Sequence, residues 1–506
     1  MIVDALRIAS CDTDEVVNKL AIIRCQSQQN IVDYTCDMTE FTAPSTAERD
    51  EQAAPTIEDS STTIFQTARG TAVKLLSRYE NSDSYIDKLL DAELRRSELE
   101  AADRALVTEL VNGTVRWQSR LDWVLTGFYH GEFAKCLPLV KNAMRIALYQ
   151  IMFLSKIPAP AAINESVELV KRIKGDRHAG LVNGVLRNIL RNIQTIRYPD
   201  RTENEALHLS VHYAHPQWIV KRYLERYGST GAEALLAANT HRPMLTLRVN
   251  TLKTSVAEVE RQLTEAEIKY EVSPIHPSSV LITSLRDVRS LPLFQEGHVS
   301  VQDASASLAV QLADPKPGMR VLDLCAAPGG KAVHAAELMK NQGSVVALEK
   351  YESKLRFIEE NAVRSGCSIV KPEQGDARTY ETKDLADLVL VDAPCSGLGT
   401  LSKKPDIKWR RDIDDIRKMS ATQREILDHA AQLVKVGGAI VYSTCSIEPE
   451  ENANIVQWFL EKHPEFTLDN AESRLPADVC KDGMLQTLPH LHKSDGAFGA
   501  RLVRSR

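Results

Sequence analysis

Residues 320–338 read RVLDLCAAPGGKAVHAAEL. A strand-like run, Arg320–Leu324, meets a turn of small residues, Cys325–Gly330, and then a helical pattern. Small residues let a ligand approach the backbone, and a helix N-terminus offers unpaired N–H groups. Phosphate-binding signatures do not fit. A P-loop needs Gly where Cys325 stands and Ser or Thr where Ala332 stands, and no G-x-G-x-x-G is present. S-adenosylmethionine fits better, because it carries no phosphate and asks instead for close backbone approach and acidic partners. The expected cofactor contacts are therefore Cys325, Ala326, Ala327, Pro328, Gly329, Gly330 and Lys331.

The same alternation continues downstream. Strands are predicted at 320–324, 344–348, 368–373, 387–391 and 438–443, with helices at 330–341, 352–365, 412–435 and 449–462. Continuous apolar strands between helices imply a mostly parallel sheet covered on both faces, with ligands beyond the strands' carboxyl ends. Polar residues collect at those ends. Glu349 is placed for the ribose hydroxyls, Asp376 for the adenine amino group, and Asp392, also expected at the cofactor, precedes Ala393-Pro394-Cys395. A second cysteine, Cys445, ends the strand-like GAIVYS in VYSTCSIEPEE. From residue chemistry alone Cys395 is the more obvious nucleophile, since Pro394 rigidifies its approach.

Working outward toward the N-terminus, residues 201–300 mix helical stretches with the strand-like MLTLRVN and SVLIT, which reads as a small α/β module. Residues 64–200 are helical throughout by apolar spacing. The last two helical segments carry an excess of Lys and Arg, for which a solvated face and an RNA-facing surface are both open. Residues 1–63 form an acidic tail with 12 Asp/Glu against 4 Lys/Arg. Positions 1–38 read as a weak helix and 39–63 as disordered.

With that tail set aside, the net charge of −6 becomes +2 over residues 64–506. Local basic clusters can then meet phosphates. One is Lys403, Lys404, Lys408 and Arg410 around Trp409, read as an RNA contact. A loop anchored by a buried tryptophan is the alternative. The nine cysteines include no CxxC pair, so no metal site is expected and free thiols are. No apolar run is long enough to span a membrane, and the N-terminus lacks a signal peptide's pattern, so a cytoplasmic protein is expected.

The motifs LDLCAAPGGK, QGDAR, LVDAPCSGLGT, KKPDIKW, YSTCSIEPEEN and DGAFGARL, with LRVN and VQDASAS upstream, closely resemble in order those of the RNA cytosine-5 methyltransferases. DRALVTELVNGTVRW and AINESVELVKR…GLVNGVLRNI resemble the helical RNA-binding domain of NusB. Together the resemblance covers about residues 66–506. It implies an all-α NusB-like domain, a small α/β module and a Rossmann-like methyltransferase domain, acting as a monomer on 16S rRNA or an assembling small ribosomal subunit.

The resemblance also decides between the cysteines. It implies that Cys445 attacks carbon 6 of the cytosine, that Cys395 assists release, and that Asp392 bonds the cytosine edge. Two departures stand out: Ala497 replaces a phenylalanine usual in the C-terminal motif, and Ser402-Lys403-Lys404 replaces a more Arg-rich run. The same chemistry on tRNA or 23S rRNA, and a non-catalytic RNA-binding assembly factor, are the competing readings.

Overall fold

The computed structural model describes residues 64–283, 285 and 287–505. The expectations for residues 1–63 lie outside the described residues. Among the described residues, seven helices come first: α1 (Ala68–Glu80), α2 (Ile86–Arg96), α3 (Ala101–Arg116), α4 (Gln118–Phe128), α5 (Pro138–Phe153), α6 (Ala159–Lys174) and α7 (Asp176–Arg191). Thr67 caps α1 by accepting from the Gly70 amide, and Pro138 starts α5 where a missing N–H costs nothing. Their apolar stripes close one core that includes Leu75, Leu110, Leu121, Met144 and Leu186. The basic side chains of α6 and α7, among them Lys171, Arg172, Arg187 and Arg191, stay exposed.

Helices α8 (Glu205–His212) and α9 (Gln217–Thr240) lead into a four-stranded antiparallel sheet. It comprises β1 (Leu245–Val249), β2 (Tyr270–Val272), β3 (Ser279–Ile282) and β4 (Val299–Val301), in the order β4-β1-β3-β2. Helix α10 (Val256–Glu265) joins β1 to β2, and a short turn at Pro292–Gln295 precedes β4. This βαββαβ path with the first and third strands central is ferredoxin-like.

The C-terminal half is built on a nine-stranded sheet. Helix α11 (Ala304–Ala313) enters it. Then follow β5 (Arg320–Asp323), α12 (Gly330–Leu338), β6 (Ser344–Glu349), α13 (Glu352–Ser365), β7 (Val370–Gln374), β8 (Ala386–Asp392), α14 (Ile413–Ala430), β9 (Val434–Thr444) and α15 (Ala453–Lys462). Strands β7-β6-β5-β8-β9 are parallel neighbours, and the order reverses between β5 and β8. That reversal opens a crevice at the strands' carboxyl ends. Strands β10 (Phe466–Asp469), β11 (Cys480–Lys481), β12 (Met484–Thr487) and β13 (Ala497–Arg504) complete it, with β13 antiparallel to β9. These four strands, α11 and β4 escape the sequence reading because each is short or flanked by loops without a clear period.

The segment 402–411 joins the helical domain to the catalytic half. Lys408 is fully buried and its Nζ donates to the Arg116 carbonyl at 2.9 Å. The Trp409 indole N–H donates to the Val115 carbonyl at 2.8 Å. Arg410 donates to the Tyr79 carbonyl at 2.7 Å and lies 4.1 Å over the Tyr79 ring. From the other side, Asp406 accepts from the Ile86 amide at 2.8 Å, and Arg116 donates to the Ser402 carbonyl at 2.8 Å. This corrects the expected RNA contact at Lys408, whose fully buried ammonium cannot reach a phosphate; Trp409 and Arg410 are part-exposed, with the indole N–H and one guanidinium N–H committed to the helical domain. Trp409 is part-buried and packs against the helical core, as the loop-anchor alternative expects. Lys404 remains exposed.

Candidate active site

Strand β5 delivers Asp323 to the crevice, and the loop Leu324–Gly329 carries the chain to α12. Gly329 has φ +101°, and a Cβ there would stand 3.1 Å from the Ile358 Cα. Only glycine suits that turn. Ala326, Ala327 and Pro328 add little bulk above the backbone, and α12 begins at Gly330 with no side-chain cap at its N-terminus. Asp323 is fully buried: Oδ1 accepts from the Cys325 amide at 3.3 Å, and Oδ2 has no partner among the described residues. Burial, aided by the Asp392 charge and opposed by Lys331, pushes the Asp323 carboxyl up to about 7. Burial also pushes the Cys325 thiol well up, so it stays protonated.

Glu349 ends β6 nearly buried, with Oε1 accepting from the Tyr351 amide at 2.9 Å and facing Lys354 at 3.4 Å. Its Oε2 has no partner among the described residues. Asp376 lies just past β7. Arg378 holds it at 2.7 Å and Lys350 at 3.2 Å, and the Arg378 hydrogen bond keeps its carboxyl well below the usual carboxylate range. An adenine amino group would have to share that carboxylate with Arg378. A low-bulk loop, a helix N-terminus, an open Glu349 oxygen and the unpartnered Asp323 oxygen fit S-adenosylmethionine, whose recognisable groups are hydroxyls, amines and a sulfonium.

Register brings the reactive groups together. Asp392 pairs with Ser443 across β8 and β9 and accepts from its Oγ at 3.0 Å. Lys331 reaches from α12 to form an ion pair with Asp392 at 2.7 Å. Burial lowers the Lys331 ammonium, but Asp392 and Asp323 outweigh it, so the net shift is upward and the charge is kept. Just past the two strands, the Cys395 and Cys445 sulfurs stand 3.2 Å apart. Cys445 is exposed, and Cys395 is half-buried. Either sulfur can donate in this contact. The contact with Cys395 lowers the Cys445 thiol, helped by Lys331 and opposed by partial desolvation and by Asp392. That hydrogen bond and burial push Cys395 well up. The exposed sulfur is thus the one favoured as thiolate.

Both cysteine loops hang on one buried carboxylate. Glu451 accepts from the Ser396 amide at 2.7 Å, from the Ser396 and Ser446 hydroxyls, and from Gln423 at 3.1 Å. From α9, Arg226 donates to the Ile447 carbonyl and to Glu448, each at 2.8 Å. On the far side Lys403 ion-pairs with Asp303 and with Asp495. Lys403 is thus committed to two carboxylates, which qualifies its expected phosphate contact. Glu451, Asp303 and Asp495 go unassigned in the sequence reading. The last two sit in the VQDASAS and DGAF motifs, which flag them without giving a role.

Among the described residues, no group of three or more metal-ligating side chains occurs and no helix is long and apolar enough to cross a membrane.

Fold and site together define an S-adenosylmethionine-dependent methyltransferase with an added helical domain. The comparisons narrow this. Residues 310–503 match the family described as 16S rRNA methyltransferase RsmB/F, residues 66–191 match the NusB family, and residues 215–289 match the ferredoxin-like domain of RsmF/B-like methyltransferases. A "Probable ribosomal RNA small subunit methyltransferase B" of Bacillus subtilis is 39% identical over 439 residues, covering 85% of this chain and 97% of that protein. The ribosomal RNA small subunit methyltransferase B of Yersinia pseudotuberculosis (strain IP 31758) is 36% identical, covering 86% and 98%. The crystal structure of PH0851 superposes with TM-score 0.72 at 29% identity, over 87% of this chain and 99% of that one. The chain belongs to the ribosomal RNA small subunit methyltransferase B family and is an rRNA methyltransferase.

Proposed function

We propose that the protein methylates carbon 5 of a cytosine in 16S rRNA through a covalent bond between Cys445 and carbon 6. The observation that carries this reading is the pair of sulfurs 3.2 Å apart, one exposed and lowered, the other protonated. Carbon 5 of cytosine is a weak nucleophile. Attack by the Cys445 thiolate on carbon 6 turns the ring into an enamine and activates it. Bound S-adenosylmethionine supplies an electrophilic methyl group. Asp392 and Lys331, joined at 2.7 Å, present an acceptor and a donor to the ring edge as charge develops there. Once methylated, carbon 5 passes its proton to solvent, the carbon-5–carbon-6 double bond re-forms and the carbon-6–sulfur bond breaks, so Cys445 leaves as a thiolate that the neighbouring Cys395 S–H stabilises. The target base has to leave its stack to reach the thiol. Glu349, Asp376 and the Cys325–Lys331 loop hold the cofactor in this reading, and Lys404 and the exposed cations of α6 and α7 meet RNA phosphates. The setting is the cytoplasm, and the enzyme works as a monomer on 16S rRNA or an assembling small subunit.

Mixing C395A or C445A with 16S rRNA transcript and cofactor tests the assignment on a denaturing gel. C395A is expected to accumulate a protein–RNA adduct and C445A to form none. The opposite pattern would sink it. Sequencing for 5-methylcytosine after reaction with the wild type identifies the nucleotide.

A further inference from the structure

Behind the nucleophile's loop lies a cavity of about 230 Å³ that the proposed reaction does not use. It is bordered by Asp303, Lys403 and Asp495 and by His241, Arg242 and Lys493. It sits where three parts of the chain converge: the end of α9, strand β1, and the loop before β13. Junctions between modules are where ligand sites concentrate. The volume falls below the roughly 300–1,000 Å³ of small-molecule pockets. It suits one nucleobase or one phosphate rather than a free metabolite.

Backbone contacts tie this cavity to the reacting sulfur. The Gly399 amide donates to the Cys445 carbonyl at 3.0 Å, and the Gly496 amide donates to the Gly399 carbonyl at 2.8 Å. Asp495 therefore lies directly beside the Cys445 loop, one residue from Gly496. Its Oδ2 accepts from Lys403 at 2.9 Å, and its Oδ1 has no partner among the described residues. Lys403 has two of its three N–H groups on carboxylates and is part-exposed. An acceptor and a donor thus stand side by side at the cavity wall, the pattern that reads a base edge. The Arg242 side chain, also on the lining, is 84% exposed and among the described residues is held only by Glu109 at 3.6 Å. Lys493, 61% exposed, pairs with Glu271 at 3.0 Å. Exposed pairs of this kind are weak and yield readily to a phosphate.

We infer that this cavity holds the RNA nucleotide next to the target cytosine, with Asp495 and Lys403 on its base edge and Arg242 and Lys493 on its phosphate. The inference rests on the reading of Cys445 as the nucleophile only for which nucleotide is the neighbour. That RNA enters the cavity can be tested without catalysis.

Equilibrium binding of 16S rRNA transcript to the full-length protein, without cofactor, provides that test. R242A and K493A should each weaken binding about tenfold and each reduce the salt slope by about one. K435A, at the opposite end of the sheet, should change neither. Unaltered affinity and salt slope in both R242A and K493A would overturn the site. Methyl transfer gives the second arm. With the nucleotide on either side of the methylated cytosine made abasic, the wild type should lose about tenfold in kcat/KM at one flank, and D495N should lose nothing further there. If D495N keeps the wild-type sensitivity, or neither flank matters, the base-edge assignment is wrong. R242A, with its exposed side chain, guards against misfolding in D495N. Failure to form 5-methylcytosine in the wild type would count against the proposed reaction and leave the binding arm to decide the cavity.

Discussion

Single carboxylates set the working state of the crevice. Asp323 has an ordinary value near 3.8 and a folded value of about 7. Between those limits the folded chain keeps a proton that the unfolded chain has released, so this group's contribution to stability is full below about 4 and is lost as pH rises through about 7. D323N cannot ionise. Thermal melts of the cofactor-free protein should show wild-type stability falling relative to D323N by about 1.4 kcal/mol per pH unit across that window, with little further change above it. The direction follows from burial, and Asp392 adds to it, so D392N should flatten the same slope. Glu451 works differently, as an acceptor for two serines and an amide. A Gln there turns one acceptor into a donor aimed at a donor. Hydrogen bonds to charged groups are worth about 1.5–3 kcal/mol, so E451Q should lower the single-turnover rate tens-fold with a normal far-UV spectrum. A rate within twofold of wild type would remove Glu451 from the positioning of the sulfurs.

Elements differ in how openly the sequence declares them. Strands β5, β6 and β8 are legible because each is a buried apolar run closed by an acid at its carboxyl end: Asp323, Glu349 and Asp392. The cofactor loop is legible from Ala326–Gly330, since few other uses demand so little side chain beside a helix start. The cysteine pair needs the family resemblance, because distance between residues 50 apart is not written in either loop. The segment 402–411 misleads for a physical reason. Lysines and arginines are almost always solvated, so Lys408, Trp409 and Arg410 look like a nucleic-acid surface. Only the carbonyls of Tyr79, Val115 and Arg116, some three hundred residues earlier, show where they go. W409A should cost about 3–5 kcal/mol in stability and open this junction to limited proteolysis near residue 409. If stability and cleavage stay at wild-type levels, the junction is not held by the indole.

At the scale of the molecule, the helical domain and the linker helices complete the catalytic half rather than merely carry it. Leu209, Ile219, Tyr223 and Leu235 share one buried cluster with Leu398, Leu401, Ile407 and Ile447, which flank the two cysteine loops. A chain beginning at residue 243 should therefore express poorly or melt well below the full-length protein. One beginning at residue 201 keeps that cluster but leaves Lys408 and Trp409 without partners. Differential scanning of both truncations against the full chain checks the order: full length above 201–506, and 201–506 above 243–506. Equal melting temperatures would show the parts to be independent. The junction at Trp409 also bears on synthesis. The chain leaves the ribosome N-terminus first, so α1 and α3 are made long before residues 402–411. Until then the helical domain waits with the carbonyls of Tyr79, Val115 and Arg116 unclaimed by their final donors. The last step that finishes its surface is also the step that seats the loop beside Cys395, so the two thiols take their places only once the whole length from residue 79 to residue 451 has been made.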